Sequence, residues 1–312
     1  MASLKNIKLK IVSVKKTATV TRAMEAVSAV KMRKSQERAL GSRSYAAAAL
    51  SILERLSGTA DVARHPLLRE NGASTSLGVN KTCIVIITSD KGLAGSLNSG
   101  VIRKAEQEIA SRSLNKQNAC FVAFGRRGAD YFASRGWDVR ARYENVADGI
   151  SETDIRAATD QILAWHSEGG IGTALVVYQN FVSTFEQQPS VRQLVPITSQ
   201  MIQQFVAGIR PARGKYAPQN PQESVRPAAY TIEPDADAVL SQLLPRLLNM
   251  AIFHAALERK ASEHSARMVE MKSATDKAKG MSQSLTRTYN KIRQAAITRE
   301  VSEITSGMEA MR

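Results

Sequence analysis

Apolar and small residues recur at alternating spacings of three and four from the start of the chain, at Leu4, Ile7, Ile11, Val14, Ala18 and Thr21. Lys5, Lys8, Lys10, Lys15 and Lys16 fall off that row. A three-four stagger is the signature of a helix with one packed stripe, and no proline occurs between residues 3 and 57. The pattern predicts a helix over residues 1–58, its stripe continuing less regularly through Met24, Val27 and Val30, then into the alanine-rich YAAAAL before Gly58. At 1.5 Å per residue, about 55 residues span roughly 80 Å. Such a helix must protrude or find a partner along its length.

The other end of the chain supplies one. After the acidic opening EPDADAVL, which suits the positive end of a helix dipole, a helical pattern runs over residues 232–312 with Gly280 and Gly307 as its interior glycines. Its stripe reads Leu257, Ala261, His264, Met268, Met271, Thr275, Ala278, then Met281 or Ser282, Leu285, Thr288, Ile292 and Ala295. Pro245 sits in an early turn, where it kinks a helix without ending it. Small, polar and methionine side chains stand where an obligate coiled-coil dimer carries Leu, Ile and Val, so the seam is weak and implies support from outside.

Between the helices, residues 59–231 have a different texture. KTCIVIITSD reads as a strand, GLAGSLNSGVIRKAEQEI as a glycine turn into a helix, and NACFVAFG as a second strand. RRGADYFASRG and ISETDIRAATDQILAWHSEGG read as helices, the latter capped by Ser151, and IGTALVVYQNFVST as a third strand. PSVRQLVPI is a further candidate strand. Strands alternating with helices predict an α/β domain with a mainly parallel, Rossmann-like sheet. Residues 207–229, rich in Pro, Gln and Arg, read as a mobile loop or insertion. The predicted fold is thus a long antiparallel coiled coil of N- and C-terminal helices plus an α/β domain.

A formal charge of +15 calls for acidic partners, which could be nucleic acid, anionic lipid or an acidic protein surface. Residues 1–60 carry 12 Lys/Arg against 3 Asp/Glu, whereas residues 232–312 carry 12 against 10, so the N-terminal helix is the electrostatic face. Cys83 and Cys120 lie in apolar runs and read as core thiols, too few for a disulfide framework. No stretch approaches the roughly 18 apolar residues of a membrane span, and the lysine-interrupted N-terminus lacks the apolar core of a signal peptide. The expectation is a cytosolic chain, or one attached to a membrane only through partners.

Candidate chemistry is thin. Thr88 to Ser96 follows a strand and opens a helix, where amides can cradle phosphate, but it matches neither GxxxxGK[ST] nor GxGxxG. A structural strand-to-helix turn is the better reading, and Gly125 to Gly128 is a weaker candidate still. His65, His166, His254 and His264 have no ligand spacing, so no metal is expected. Glu152 and Asp154 read as helix-dipole partners. The basic N-terminal helix has Tyr45 as its single aromatic, which removes base stacking as a binding mode. No catalytic residue or cofactor is expected.

Three segments resemble the gamma subunit of F-type ATP synthases. The first is the opening helix, with Ile7, Ser13, Val14, Lys15, Thr17, Thr21, Ala23, Met24, Val27, Ala29, Lys31, Met32 and Arg33. The second is SDKGLAGSLNS from Ser89 to Ser99. The third comprises Ala261 to His264, Arg267, Met268, and Tyr289 to Glu300, continuing to Glu303 and Gly307. The resemblance implies a noncatalytic central rotor whose helix pair stands within a ring of three alpha and three beta subunits and whose α/β domain sits on the c-subunit ring. It further implies coupling of proton flow to ATP synthesis by rotation, a part in assembly and regulation, and epsilon as another partner. Nucleic acid is not implied, and contact with the membrane is through the complex only. It places beta-subunit contacts at Met24, Lys31, Arg33, Arg267, Gln294, Thr298 and Glu300, and c-ring or epsilon contacts at Tyr230 and Glu233.

Ile232, Glu270, Lys277 and Met308 depart from the family's usual residues, and the stretch near 207–229 looks longer than usual, which suggests a regulatory contact there. The regulatory cysteine pair of the chloroplast branch is absent. With no transit peptide in view, a bacterial protein peripheral to the cytoplasmic side of the cell inner membrane is expected. The rival readings are a basic coiled-coil nucleic-acid-binding protein and a nucleotide-binding enzyme using the SDKGLAG turn.

Overall fold

The computed structural model describes residues 4–41, 67, 81–144, 151–197 and 235–311. They fall into two compact units, one of residues 1–30 with 267–312 and one of residues 31–266. The predicted helix beyond residue 41, the 207–229 insertion, Tyr230 and Glu233 lie outside the described residues.

The second unit is an α/β sheet assembly. Its elements are β1 (Thr82–Ile87), α2 (Leu97–Ser111), β2 (Ala119–Phe124), α3 (Arg126–Ser134), β3 (Asp138–Tyr143), α4 (Glu152–Ser167), β4 (Thr173–Phe181) and β5 (Gln187–Val195). The sheet order is β3-β2-β1-β4-β5, with β5 antiparallel to β4 and the other pairs parallel. β1 and β2 are buried at every position, because helices cover both faces. Central parallel strands therefore read as unbroken apolar runs.

One face packs Ile84, Ile86, Phe121 and Val177 against Val101 and Ala105 of α2 and Ala129 and Phe132 of α3. The other packs Val85, Val122, Val176 and Tyr178 against Ile155, Ala158 and Ile162 of α4, and against Leu248 to Ala256 of the last helix. That helix, α5, runs Ala236–Glu309 through Pro245. Asp235 caps its start by accepting from the Ala238 amide at 2.7 Å, and Ser151 caps α4 by accepting from the Asp154 amide at 3.3 Å. Both caps satisfy amides that a first helical turn leaves without partners. β3 was not anticipated. DVRARY alternates exposed and half-buried positions at a sheet edge, so it lacks the apolar run that marked its neighbours.

In the first unit, α1 (Leu4–Gly41) as far as Val30 and α5 from Arg267 form an antiparallel pair. Leu4, Ile7, Ile11, Val14, Ala18 and Thr21 make the packed row of α1 as expected. Beyond Thr21 the row departs from expectation. Val27 and Val30 are 53% and 68% exposed, and Ser28 is the buried residue. The valines lie about 180° and 120° around the helix from the seam's reference direction, at 100° per residue, so the stagger through Ser28 is the geometrically continuous one. On α5 the buried or half-buried row is Met271, Thr275, Ala278, Ser282, Leu285, Tyr289, Ile292 and Ala296. Ser282 is thus in the seam and Met281 is out. Thr288 and Ala295 are exposed, each displaced by one position from the residue that keeps the stagger.

The seam's centre is polar. Thr21 and Thr275 hydroxyls meet at 2.6 Å, and each also reaches back along its own helix, Thr21 to the Thr17 carbonyl at 3.1 Å and Thr275 to the Met271 carbonyl at 2.8 Å. Ile7 and Met271 are the large apolar side chains buried here. Each contributes about 1.5–3 kcal/mol, far less than a leucine-rich seam of equal length. A double-mutant cycle measures the threonine pair. Thr21→Val or Thr275→Val alone is expected to cost about 1 kcal/mol, and the two together to be nearly neutral, because isosteric removal of both hydroxyls leaves none unsatisfied. Urea unfolding of the four chains reads the coupling.

Candidate functional site

The catalytic-looking loop comes first, since it decides whether this chain does chemistry. Ser89 is buried, and its amide donates to the Asn98 Oδ1 at 2.9 Å while its hydroxyl donates to the Lys91 carbonyl at 2.6 Å. Thr88 Oγ1 accepts from the Gly128 amide at 2.8 Å, the Asp90 carboxylate accepts from the Arg126 amide at 2.9 Å, and the Ser89 carbonyl accepts from the Arg127 amide at 3.2 Å. A Cβ on Gly125, which has φ +93°, would lie 2.1 Å from the Thr88 carbonyl oxygen. The SDKGLAGSLNS and GRRG turns are therefore knitted to each other, and the amides of Ser89, Arg126, Arg127 and Gly128 are already bonded. The cavity lined by Thr88, Asp90, Gly125 and Asp154 holds about 20 Å³, the size of a single water.

Nor do the histidines assemble. His166 Nδ1 meets the Ile171 carbonyl at 3.0 Å, His254 faces Glu258, and His65 is outside the described residues. Among the described residues no group of three metal-ligating side chains exists. Glu152 and Asp154 occupy the first turn of α4, the dipole position expected of them.

What remains is surface, and it concentrates on the terminal helices. On α1, Lys5, Lys8, Lys10, Lys15, Lys16 and Arg22 are exposed over residues 4–30, where Glu25 is the one carboxylate. Leu9, Val12, Val20, Val27 and Val30 are exposed among them. These valines and Leu9 share one side of the helix opposite the seam, because their spacings keep within about one quadrant at 100° per residue. A second apolar row lies on α5. From Ile297 to Met311 every described residue is exposed, and Ile297, Val301, Ile304, Met308 and Met311 follow a four-three-four-three spacing. That row begins where the packed seam ends at Ala296.

The residues singled out by resemblance are distributed unevenly. Gln294, Thr298 and Glu300 are exposed around the start of the α5 apolar row. Helical geometry puts Gln294 and Thr298 on one flank of it and Glu300 on the other. Thr298 donates to the Gln294 carbonyl at 3.0 Å, which leaves its oxygen able to accept. Met24 is half-buried and Arg267 buried in the first unit; Lys31 is half-buried and Arg33 exposed in the second. The two apolar rows escaped the sequence reading. The signal was present as a stagger past Ala296, but it could not be told from continuation of the seam without knowing where α1 stops pairing.

Among the described residues no helix is long and apolar enough to cross a membrane. The sequence profile of the family described as ATP synthase matches residues 3–311. An ATP synthase gamma chain from Roseiflexus sp. strain RS-1 is 37% identical over 311 residues, covering 100% of this chain and 99% of that one. The structure resembles a chain of the Euglena gracilis mitochondrial ATP synthase in its OSCP/F1/c-ring assembly, with TM-score 0.61 and 17% identity over 99% of this chain and 94% of that one. It also resembles a chain of the Tetrahymena thermophila mitochondrial ATP synthase central stalk and c ring, with TM-score 0.57 and 21% identity over 82% and 99%. At those identities the structures speak for the fold, and the profile and relatives for descent. The chain belongs to the ATP synthase gamma-chain family.

Proposed function

We propose that this chain is the central-stalk rotor of an F-type ATP synthase. Proton flow through a c-subunit ring turns it, and its helix pair drives three beta subunits in sequence through different nucleotide affinities. The observation that carries the reading is the pair of outward apolar rows on helices whose own seam is soft. Monomeric proteins seldom expose such rows without a partner, and a seam of Thr, Ser and Ala gains support from a sleeve around it. A shaft that must present different faces to successive partners suits attraction without one locked geometry, which long-range charge supplies. The exposed lysines of α1 would provide it against acidic loops of the beta subunits.

In this reading the chain is noncatalytic and needs no cofactor of its own. The domains are the helices 1–58 and 232–312 and the α/β domain 59–231. Met24, Lys31, Arg33, Arg267, Gln294, Thr298 and Glu300 contact beta, with Arg267 needing a shift from its buried position to do so. Tyr230 and Glu233 contact the c ring and epsilon. The 207–229 stretch serves regulation, and the chain also helps assembly. It sits peripherally on the cytoplasmic side of the inner membrane, held there by the complex. The SDKGLAG turn matches neither phosphate-binding glycine pattern, which argues against a nucleotide-binding enzyme.

The test uses the chain reconstituted with alpha and beta subunits. Replacing Gln294, Thr298 and Glu300 together by alanine is expected to lower ATP turnover about tenfold, the effect of losing one or two partly desolvated polar contacts. Because all three are exposed, the thermal midpoint of the free chain should hardly move. Unchanged turnover in the assembled complex would remove these residues from the coupling surface.

A further inference from the structure

One group of buried ionisable side chains has no part in the rotor surface. Tyr178 of β4, Arg192 of β5, and His254 and Glu258 of α5 meet inside the second unit. Glu258 and His254 are buried, and Tyr178 is fully so. Glu258 Oε1 lies 3.4 Å from His254 Nδ1, and Oε2 lies 3.9 Å from Arg192 Nη2. The Arg192 guanidinium stands 5.2 Å from the Tyr178 ring centre. The Tyr178 hydroxyl, Arg192 Nη1 and Glu258 Oε2 are buried without a hydrogen bond.

Such an arrangement serves a carboxylate poorly. A buried charge persists only with close, hydrogen-bonded partners, and 3.9 Å is beyond hydrogen-bond length. The other charged neighbours are engaged elsewhere. Arg259 pairs with Glu263 at 3.1 Å and, with Lys260, lines the narrow crevice beside Asp90 and Asp154. α4 brings apolar Ile155, Ala158 and Ile162 to this face of the sheet. On α1, Arg33, Lys34, Glu37 and Arg38 are exposed to solvent.

We propose that Glu258 is a buried proton-binding site through which α5 is fastened to the β4–β5 ladder. One proton from water converts the carboxylate to a neutral carboxyl, and release of that proton leaves a buried charge that faces His254 at 3.4 Å and Arg192 at 3.9 Å. Burial raises the Glu258 pKa to about 7, against the pull of Arg192 and Tyr178. The same burial and the Glu258 charge push the Tyr178 hydroxyl well up. The site titrates in the range where cytosolic pH moves, so the grip of the α/β unit on α5 follows proton concentration. It is a property of this chain and stands apart from the rotor reading.

The sign of the effect is fixed by linkage. The folded chain holds the proton up to about pH 7, whereas an unfolded glutamate releases it near pH ~4.3. The folded state therefore binds more protons in between, and stability falls as pH rises through that window and levels off above it. Thermal unfolding of the full chain between pH 5 and pH 8.5 should show this component in the wild type. Glu258→Gln, which mimics the neutral form, should gain in unfolding temperature over the wild type steadily as pH rises from 5 to 8. Infrared spectra of the folded wild type should show the C=O stretch of an un-ionised carboxylic acid at pH 6 that disappears by pH 8.5. Glu258→Gln should lack that band. An ionised Glu258 at pH 6 in the wild-type spectrum would overturn the proposal, and that reading stands even if a variant fails to fold. So would a Glu258→Gln chain with the wild type's pH dependence.

Discussion

A helix of 74 residues stays ordered only where its side chains leave water, and α5 meets that requirement on two different terms. Intrinsic propensity supplies little over such a length, so packing must do the rest. From Leu248 to Ala256 it packs into the apolar core of a sheet, and Ser262 and Ser265 extend the attachment by donating to the carbonyls of Gln179 and Thr184 at 3.3 and 2.6 Å. From Met271 to Ala296 it packs instead against one helix along a row of Thr, Ala and Ser. From Ile297 onward every described residue is exposed. The decline from firm burial to none is the constraint that gives the chain its character. A domain grips one end of a long element, while the described residues at the other end are exposed.

The firm end also buries polar and charged residues. Glu258, Arg259, Lys260, Glu263 and His264 are all buried. Burying charges costs several kcal/mol per ion unless they are paired, and Arg259 with Glu263 at 3.1 Å meets that condition. Replacement by apolar residues would often stabilise such a region. A network that tolerates only one register fixes how the helix is seated.

Much of this was legible from spacing alone. The row from Leu4 to Thr21 and the strands TCIVII, ACFVAF and TALVVYQNF are apolar patterns whose period decides the element. The rest was hidden for physical reasons. β3 is an edge strand with charges on its open side, so Asp138, Arg140 and Arg142 mask it. Ser28 replaces Val27 in the seam because position on the helix outranks hydrophobicity when the partner is a narrow row of small residues. Ala261 and His264 were legible as part of the packed stripe, but only the fold brings Arg192 and Tyr178 from distant strands to meet Glu258. Gln294, Thr298 and Glu300 were found through resemblance, while the apolar row they flank becomes visible only once α1 is seen to stop pairing at Ala296.

The account's central claim is that the helix pair turns within a ring of catalytic subunits. Attaching a bead to the α/β unit of the chain, assembled with surface-held alpha and beta subunits, and watching it during ATP hydrolysis tests that directly. Continued rotation in one direction, in three steps per turn, is the predicted result. A stationary bead alongside normal ATP turnover would contradict it.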